Sequence, residues 1–325
     1  MRWIKNMQVR NIAFVVHRYY PFPGGSETTV RAMAETVASR GHNVTVWAPT
    51  NQGNQNGVFV TDDPNYLFNK DLIIMHGVGP GPQNFIAENL NKINSPLMYM
   101  IIKPEETPIH LKAAQGCKWV AASTLEDYEF VDRYNLRNKT INYRYGLLKS
   151  SIYGEKTFRE KYNLPKDKMM FLSCGGYWAH KGMDELVNTF NSVKPDNAFL
   201  VTTGYHDIYS KPKDSDVVFN LMLEDKKDVL NAMADANYYI LNSYEEGFGL
   251  VLLESMFNKL PWIARNIAAA KMFNNKGLVY DNNDQLKEYL KNIKNYNFNI
   301  EDNYHYVQNN HTAEVMVDDL LKVLQ

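Results

Sequence analysis

ANYYILNSYEEGFGLVLLESMFNKLPWIA, residues 236–264, reads as a strand, a glycine-bearing turn, a helix and a second strand. Tyr238–Leu241 is an apolar run of strand length that ends at Asn242, and the next apolar stretch, Leu250–Asn258, is long enough for a helix that begins near Gly249. Glu246 falls in the turn and Glu254 about one turn into the helix. Amides at the start of such a helix point toward an anion, and carboxylates accept hydrogen bonds from hydroxyls. That combination suits a phosphorylated sugar or a nucleoside. The plainer alternative is that Glu245 and Glu246 are solvated and Glu254 is an exposed helix residue.

The same alternation continues in both directions. Upstream, Met169–Cys174 reads as a strand ending in Gly175 and Gly176, Met183–Val193 as a helix, Ala198–Thr203 as a strand closed by Gly204, Val217–Phe219 as a strand and Asp225–Ala234 as a helix. Downstream come short strands at Trp262–Ala264 and Leu278–Tyr280, then two helical stretches. An earlier series starts with a buried strand at Ile12–Val16, a loop from His17 to Gly25, and a helix from about Glu27 to Arg40. Ser26 is placed to cap that helix, Val30, Met33, Ala34 and Val37 share one face, and Gly41 ends it. Strands follow at Val44–Trp47, Leu72–Met75, Leu97–Ile102 and Trp119–Ala122. The stretch 142–167 is polar and aperiodic, which puts a domain boundary near residue 150. Strands alternating with helices predict two Rossmann-like, doubly wound α/β domains facing across a cleft, 1–150 and 151–325, with the last helix free to cross back. Ligands of such sheets sit beyond the carboxyl ends of the strands.

Composition narrows the class. Of 325 residues, 45% are hydrophobic and 22% charged, ample for two cores. Thirty-five Lys and Arg against 36 Asp and Glu give a net charge of −1, without the basic excess of a nucleic-acid-binding surface. Cys117 and Cys174 are too few for a disulfide framework. No stretch approaches the roughly 18 apolar residues of a membrane span. Arg2, Lys5 and Arg10 precede an apolar run too short for a signal-peptide core, so the expected location is cytoplasmic.

Other residues carry chemistry by position. Pro23-Gly24-Gly25-Ser26-Glu27 lies between a strand and a helix, where paired glycines allow either close backbone approach to a phosphate or sugar or simply a tight turn. Lys181, in His180-Lys181-Gly182, stands before a helix and can hold a phosphate as a point charge. His76 ends a strand ahead of Gly77, Gly79 and Gly81, where it is a candidate proton donor or sugar contact; His17 and Arg18 also follow a strand. No Cys, His or carboxylate cluster has metal-ligand spacing, and no Gly-x-Ser-x-Gly elbow or Walker-type loop is present.

Taken together, these stretches resemble the retaining glycosyltransferases of the GT-B fold, family four in the usual sugar-transferase classification. The resemblance runs from about Asn11 to the C-terminus and is most specific over 235–263, where Ser243, Glu246-Gly247-Phe248-Gly249, Glu254, Leu260 and Pro261 fall in the family's order. Gly24–Glu27, Asp71–His76, Ala121-Ala122-Ser123 and Lys181-Gly182 also match. The resemblance implies a UDP- or GDP-sugar donor bound mainly by the C-terminal domain, a glycan or lipid-linked acceptor bound mainly by the N-terminal one, and transfer without a cofactor or metal. It implies that Glu254 holds the ribose hydroxyls and Glu246 the sugar hydroxyls. The amides of Phe248, Gly249 and Leu250 then line the sugar and diphosphate, Lys181 neutralises the leaving diphosphate, and Gly25 closes over it. Peripheral contact with a membrane is compatible with such acceptors.

Several positions depart from the family. Its Arg five or six residues before the Lys is replaced by Gly175 and Gly176, with His180, Arg144 and Lys149 as candidate substitutes. Its His after the Leu97–Ile102 strand is absent, its Asn-Gly is Tyr145-Gly146, and little chain lies between Trp47 and Asp71, which suggests a trimmed acceptor side. A non-catalytic GT-B protein that binds a glycan or a partner transferase is the alternative these departures leave open.

Overall fold

The computed structural model describes residues 8–22, 24–50, 52–76, 80–102, 107–204, 212–223 and 225–325. Arg2, Lys5, Pro23, Gly77, Gly79 and Lys103 lie outside them. The chain forms two compact units, residues 1–148 together with 310–325, and residues 149–309.

The first unit opens with β1 (Asn11–Val15), where Ile12 to Val15 are fully buried and so need no alternation. It continues with α1 (Gly25–Ser39), β2 (Asn43–Trp47), β3 (Gly53–Gln55), β4 (Val58–Thr61), β5 (Leu72–His76), α2 (Pro80–Asn89), β6 (Leu97–Met100), α3 (Pro108–Gly116), β7 (Trp119–Ala122), α4 (Leu125–Arg133) and β8 (Thr140–Asn142). Among the described residues the strands form one sheet in the order β3-β4-β2-β1-β5-β6-β7-β8, parallel except where β3 meets β4. The order reverses between β1 and β5, so the crevice at the carboxyl end of this sheet lies beyond Val15 and His76.

Three local outcomes differ from the sequence reading. Helix α1 starts at Gly25 with Gly24 as its cap residue, so Ser26 is inside the helix and makes no capping bond. Its apolar face is as expected, with Val30, Met33, Ala34 and Val37 buried. Between Trp47 and Asp71 the chain builds β3 and β4, because Val58 and Val60 supply a buried edge for β2 to pair with. Strand β8 adds an outer strand to β7 from residues that lack an apolar run.

The second unit comprises α5 (Phe158–Lys161), β9 (Met169–Cys174), α6 (Met183–Val193), β10 (Ala198–Gly204), β11 (Val218–Met222), α7 (Lys226–Asp235), β12 (Tyr238–Leu241), α8 (Leu250–Phe257), β13 (Trp262–Arg265), α9 (Ala268–Lys271), β14 (Leu278–Tyr280), α10 (Asn283–Asn292) and α11 (Ile300–Asn310), which ends at the boundary. Its strands run parallel in the order β11-β10-β9-β12-β13-β14, the dinucleotide-fold order with its reversal between β9 and β12. Phe171, Phe190, Leu200, Ile240 and Ile263 fill one face of this sheet, each burial stabilising by about 1.5–3 kcal/mol. Strand β11 runs three residues beyond the expected Phe219 because Asn220 is buried by its bonds to Asp214.

After α11 the chain rejoins the first unit. Helix α12 (Ala313–Leu321) makes three terminal helices where two helical stretches were expected. The Leu147 amide donates to the His311 carbonyl at 2.9 Å and the Ala313 amide to the Leu147 carbonyl at 3.0 Å. Arg144 grips the buried Asp319 through Nε at 2.8 Å and through a second guanidinium nitrogen at 3.0 Å. No helix among the described residues is long and apolar enough to cross a membrane. Cys117 and Cys174 are free and buried, and burial pushes both thiols up to about 12.

Candidate functional site

In the second unit, the residues singled out from the sequence converge at the reversal of strand order. Strand β9 runs into Gly175 (φ +146°) and Gly176 (φ +83°), conformations that side chains rarely adopt. Lys181 follows in a short turn, and its aliphatic stem passes beside Gly175: a Cβ there would stand 3.5 Å from Lys181 Cδ. Gly182, also left-handed at φ +63°, caps α6. On the opposite side β12 delivers Asn242 and Ser243, and Gly249 (φ +78°) caps α8. Lys181 Nζ lies 2.6 Å from Glu246 Oε1, and Ser243 Oγ donates to the same oxygen at 2.7 Å. A cation, a carboxylate and the start of α8 are thus brought together.

A buried hydrogen-bond web holds this geometry. Asn242 donates from Nδ2 to the Gly182 carbonyl at 2.6 Å, while its Oδ1 accepts from Tyr280 and, at 3.2 Å, from Arg265. Arg265 pairs with Glu185, which also accepts from Tyr244 at 2.8 Å and Asn283 at 2.6 Å. These bonds pull the Glu185 carboxyl below its ordinary value even though burial pushes the other way. The carboxyl ends of β12, β13 and β14 are therefore tied to the start of α6. Phe248 is buried edge-on to Phe273, with ring centroids 5.7 Å apart, which pins the Gly247-Phe248-Gly249 turn ahead of Leu250.

Glu254 is 3% exposed rather than a surface helix residue. It pairs with Lys226, whose Nζ stands 2.6 Å from Oε1. Sequence reasoning missed Lys226 because it sits three positions ahead of Val229, the first buried apolar residue of an amphipathic helix, where lysines are ordinarily solvated. The Asn242 web was missed too, since a polar residue just after a strand gives no sign of what it will bond.

The first unit's crevice holds a different group. The Arg18 guanidinium donates to Glu27 Oε1 at 3.0 Å and His17 Nε2 lies 3.5 Å from the same atom. Glu27 is itself buried. The backbone at Gly24 is extended, and a Cβ there would overlap Glu27 Oε2, so a side chain at this position would displace the Glu27 carboxylate. The paired glycines thus fold over this chain's own glutamate, with Gly25 the first residue of α1. His76 is 1% exposed, and burial, with His17 beside it, lowers its pKa to about 3. Neither ring nitrogen has a hydrogen-bond partner among the described residues. His76 is thus a buried, neutral imidazole at the strand end. Of the candidate substitutes for the absent Arg, Arg144 belongs to the first unit and is committed to Asp319, Lys149 opens the second unit, and the His180 carbonyl accepts from the Tyr244 amide at 2.8 Å.

Residues 154–311 match the family model described as glycosyl transferases group 1. This stretch belongs to that family. The matched stretch contains Lys181, Lys226, Asn242, Ser243, Glu246 and Glu254. The chain is 25% identical over 256 residues to the O-antigen chain mannosyltransferase RfbU of Salmonella typhimurium, an alignment covering 75% of this chain and 65% of that protein. It is 22% identical over 301 residues to the lipopolysaccharide glucosyltransferase WaaG of Escherichia coli, covering 77% of this chain and 79% of that one. The chain therefore spans about two thirds of the length of RfbU. The structure of Anabaena HepE with UDP-glucose aligns at a TM-score of 0.78 and 14% identity, over 97% of this chain and 99% of HepE. The chain as a whole has the GT-B fold.

Proposed function

We propose that the protein is a retaining glycosyltransferase that moves a sugar from a UDP- or GDP-sugar to a hydroxyl of a glycan or lipid-linked acceptor, without a metal ion. The observation that carries this reading is the Lys181–Glu246 pair at the strand-order reversal, with Ser243 and the start of α8 beside it. The charge that builds in glycosyl transfer lies on the departing diphosphate and on an oxocarbenium-like sugar. Lys181 and the first amides of α8 meet the former; Glu246 accepts hydrogen bonds from the donor sugar's hydroxyls, and Glu254 accepts those of the ribose. In the reaction the acceptor oxygen bonds to the sugar's C1 on the face from which the C1–O bond to the diphosphate breaks. The hydroxyl proton passes to the departing phosphate oxygen, and the nucleoside diphosphate leaves. Lys181 supplies the positive charge that a metal ion provides in other transferases. RfbU, WaaG and HepE, named respectively for mannosyl transfer, glucosyl transfer and a complex with UDP-glucose, support this donor and acceptor class.

The test is thermal unfolding with UDP, GDP, ADP, CMP and dTDP, first with EDTA and then with Mg²⁺. Ligand at about 100 times its dissociation constant stabilises by roughly 2.7 kcal/mol. A shift with UDP or GDP that survives EDTA is expected, followed by donor hydrolysis in the absence of acceptor and an α-anomeric product by NMR. No shift with any nucleotide would overturn the reading, and an inverted product would remove retention from it.

A further inference from the structure

Among the charged pairs of the second unit, Lys226–Glu254 stands apart from its neighbours. Lys227, the next residue, reaches outward to Glu155 at 3.3 Å, and both of those side chains are more than 60% exposed, an ordinary surface contact. Lys226 instead runs inward from the rim, its side chain 38% exposed, to a glutamate side chain that is 4% exposed. The two come from different elements, the first residue of α7 and the fifth of α8. Asp225 fixes where Lys226 starts, because its carboxylate caps α7 by accepting from the Lys227 amide at 2.8 Å. The charges of Lys226 and Glu254 both bear on the Cys174 thiol at the carboxyl end of β9, so the pair lies on the same crevice as Lys181.

A carboxylate this far from water needs a partner, and a charge-assisted bond at 2.6 Å fixes its direction as well as its charge. Such a group offers about four acceptor sites, so one bond to an ammonium leaves capacity for a pair of hydroxyls. We propose that Lys226 is a positioning residue for the donor: by binding Oε1 it turns Glu254 so that the carboxylate takes both hydroxyls of the nucleotide's ribose. This rests on the nucleotide-sugar reading above and on the place given there to Glu254. Lys226 touches no reacting atom; it acts through Glu254.

Calorimetric titration separates this from a merely structural bond. The probes are UDP or GDP, whichever binds the wild type, and the 2′-deoxy form of the same diphosphate. The wild type is expected to prefer the ribose form about tenfold or more, and Glu254→Gln to lose that preference. Lys226→Met should still bind the diphosphate but with the ribose to 2′-deoxy ratio fallen toward one, and Lys226→Arg should restore most of it. If Lys226→Met does not fold, Lys226→Gln carries the same comparison. A Lys226 variant that keeps the full ratio, or that weakens both probes equally, overturns the proposal and assigns the pair to stability or to the diphosphate. A wild type that binds neither nucleotide fails the parent reading instead.

Discussion

Lys181 and Glu246 are 17% and 15% exposed, shielded enough that their attraction exceeds that of a surface pair and open enough for a ligand to part them. Lys181→Ala is therefore expected to lower kcat by about 100-fold, the usual cost of one group aimed at developing charge, while KM for the donor moves only a few-fold; equal turnover in steady-state assays would take Lys181 out of the chemistry. Glu254→Ala is expected to weaken nucleoside diphosphate binding about tenfold or more, since a charged hydrogen bond contributes about 1.5–3 kcal/mol, and an unchanged dissociation constant would remove Glu254 from the site. His76 bears on stability. Its pKa of about 3, and that of about 4 for His311, held down by burial against a bond to the Tyr145 carbonyl, lie below the unfolded value of 6.5. The unfolded chain then binds more protons between these values, so both residues make the fold lose stability as pH falls from about 6.5, by about 1.4 kcal/mol for each unit crossed. Asp127 works in the opposite sense: burial raises it to about 6, so it favours the fold as pH drops toward its unfolded value of 3.8. His76→Leu should leave the urea midpoint at pH 7 nearly unchanged, because an unpartnered polar group is replaced by an apolar one, and should flatten the decline between pH 6 and 4. An undiminished decline would show that His76 is not its source.

At the level of elements, the site depends on two left-handed glycines that open α6 and α8. A Cβ on Gly182 would stand 2.7 Å from the Asn242 carbonyl and side-chain amide, and one on Gly249 3.1 Å from the Ala269 Cβ. Gly182→Ala is expected to cost about 1–3 kcal/mol and to weaken nucleotide binding together with stability, because the displaced partner is Asn242 itself. A variant with wild-type stability and affinity would show that the turn has room to give. These glycines, and the strand–turn–helix order around them, were legible in the sequence because apolar runs of strand and helix length alternate there and glycine marks the turns from β9 into α6 and from β12 into α8. Glu246 and Lys181 could be placed in their turns, and Glu254 within its helix, for the same reason. What each would bond could not be read. Lys226 reaches Glu254 across 28 positions, and no local periodicity links them. Strand β3 was invisible because Gly53-Asn54-Gln55 is polar and forms only as an edge against β4. Ser26 misled because its residue type suits a cap, whereas α1 begins one residue earlier, at Gly25. The place of His76 at a strand's carboxyl end was legible, but its burial was not, because it comes from packing that the sequence does not state.

For the whole molecule, the return of residues 310–325 to the first unit is the organising feature. Its anchors are the Arg144–Asp319 ion pair, the Arg40–Asp318 pair at 2.8 Å, and Gly146, where a Cβ would collide with the Thr312 carbonyl. Arg144→Ala leaves the buried Asp319 with Lys322, at 2.9 Å, as its one charged partner among the described residues. It is expected to cost about 1–3 kcal/mol and to expose 310–325 to limited proteolysis while nucleotide binding by the second unit persists. Proteolytic resistance equal to that of the wild type would show that the backbone bonds at Leu147 suffice. The same return sets the order of events on the ribosome. Synthesis of the 161 residues from 149 to 309 takes roughly 8–32 s at about 5–20 residues per second. Through that interval the residues of the first unit's strands have been made but α12 has not, so the flank of α1 and β8 that α12 covers has no cover. The unit begun first within this chain is thus completed only by residues that follow the whole of the other unit, and the exposure of that flank during elongation is built into the path of the chain.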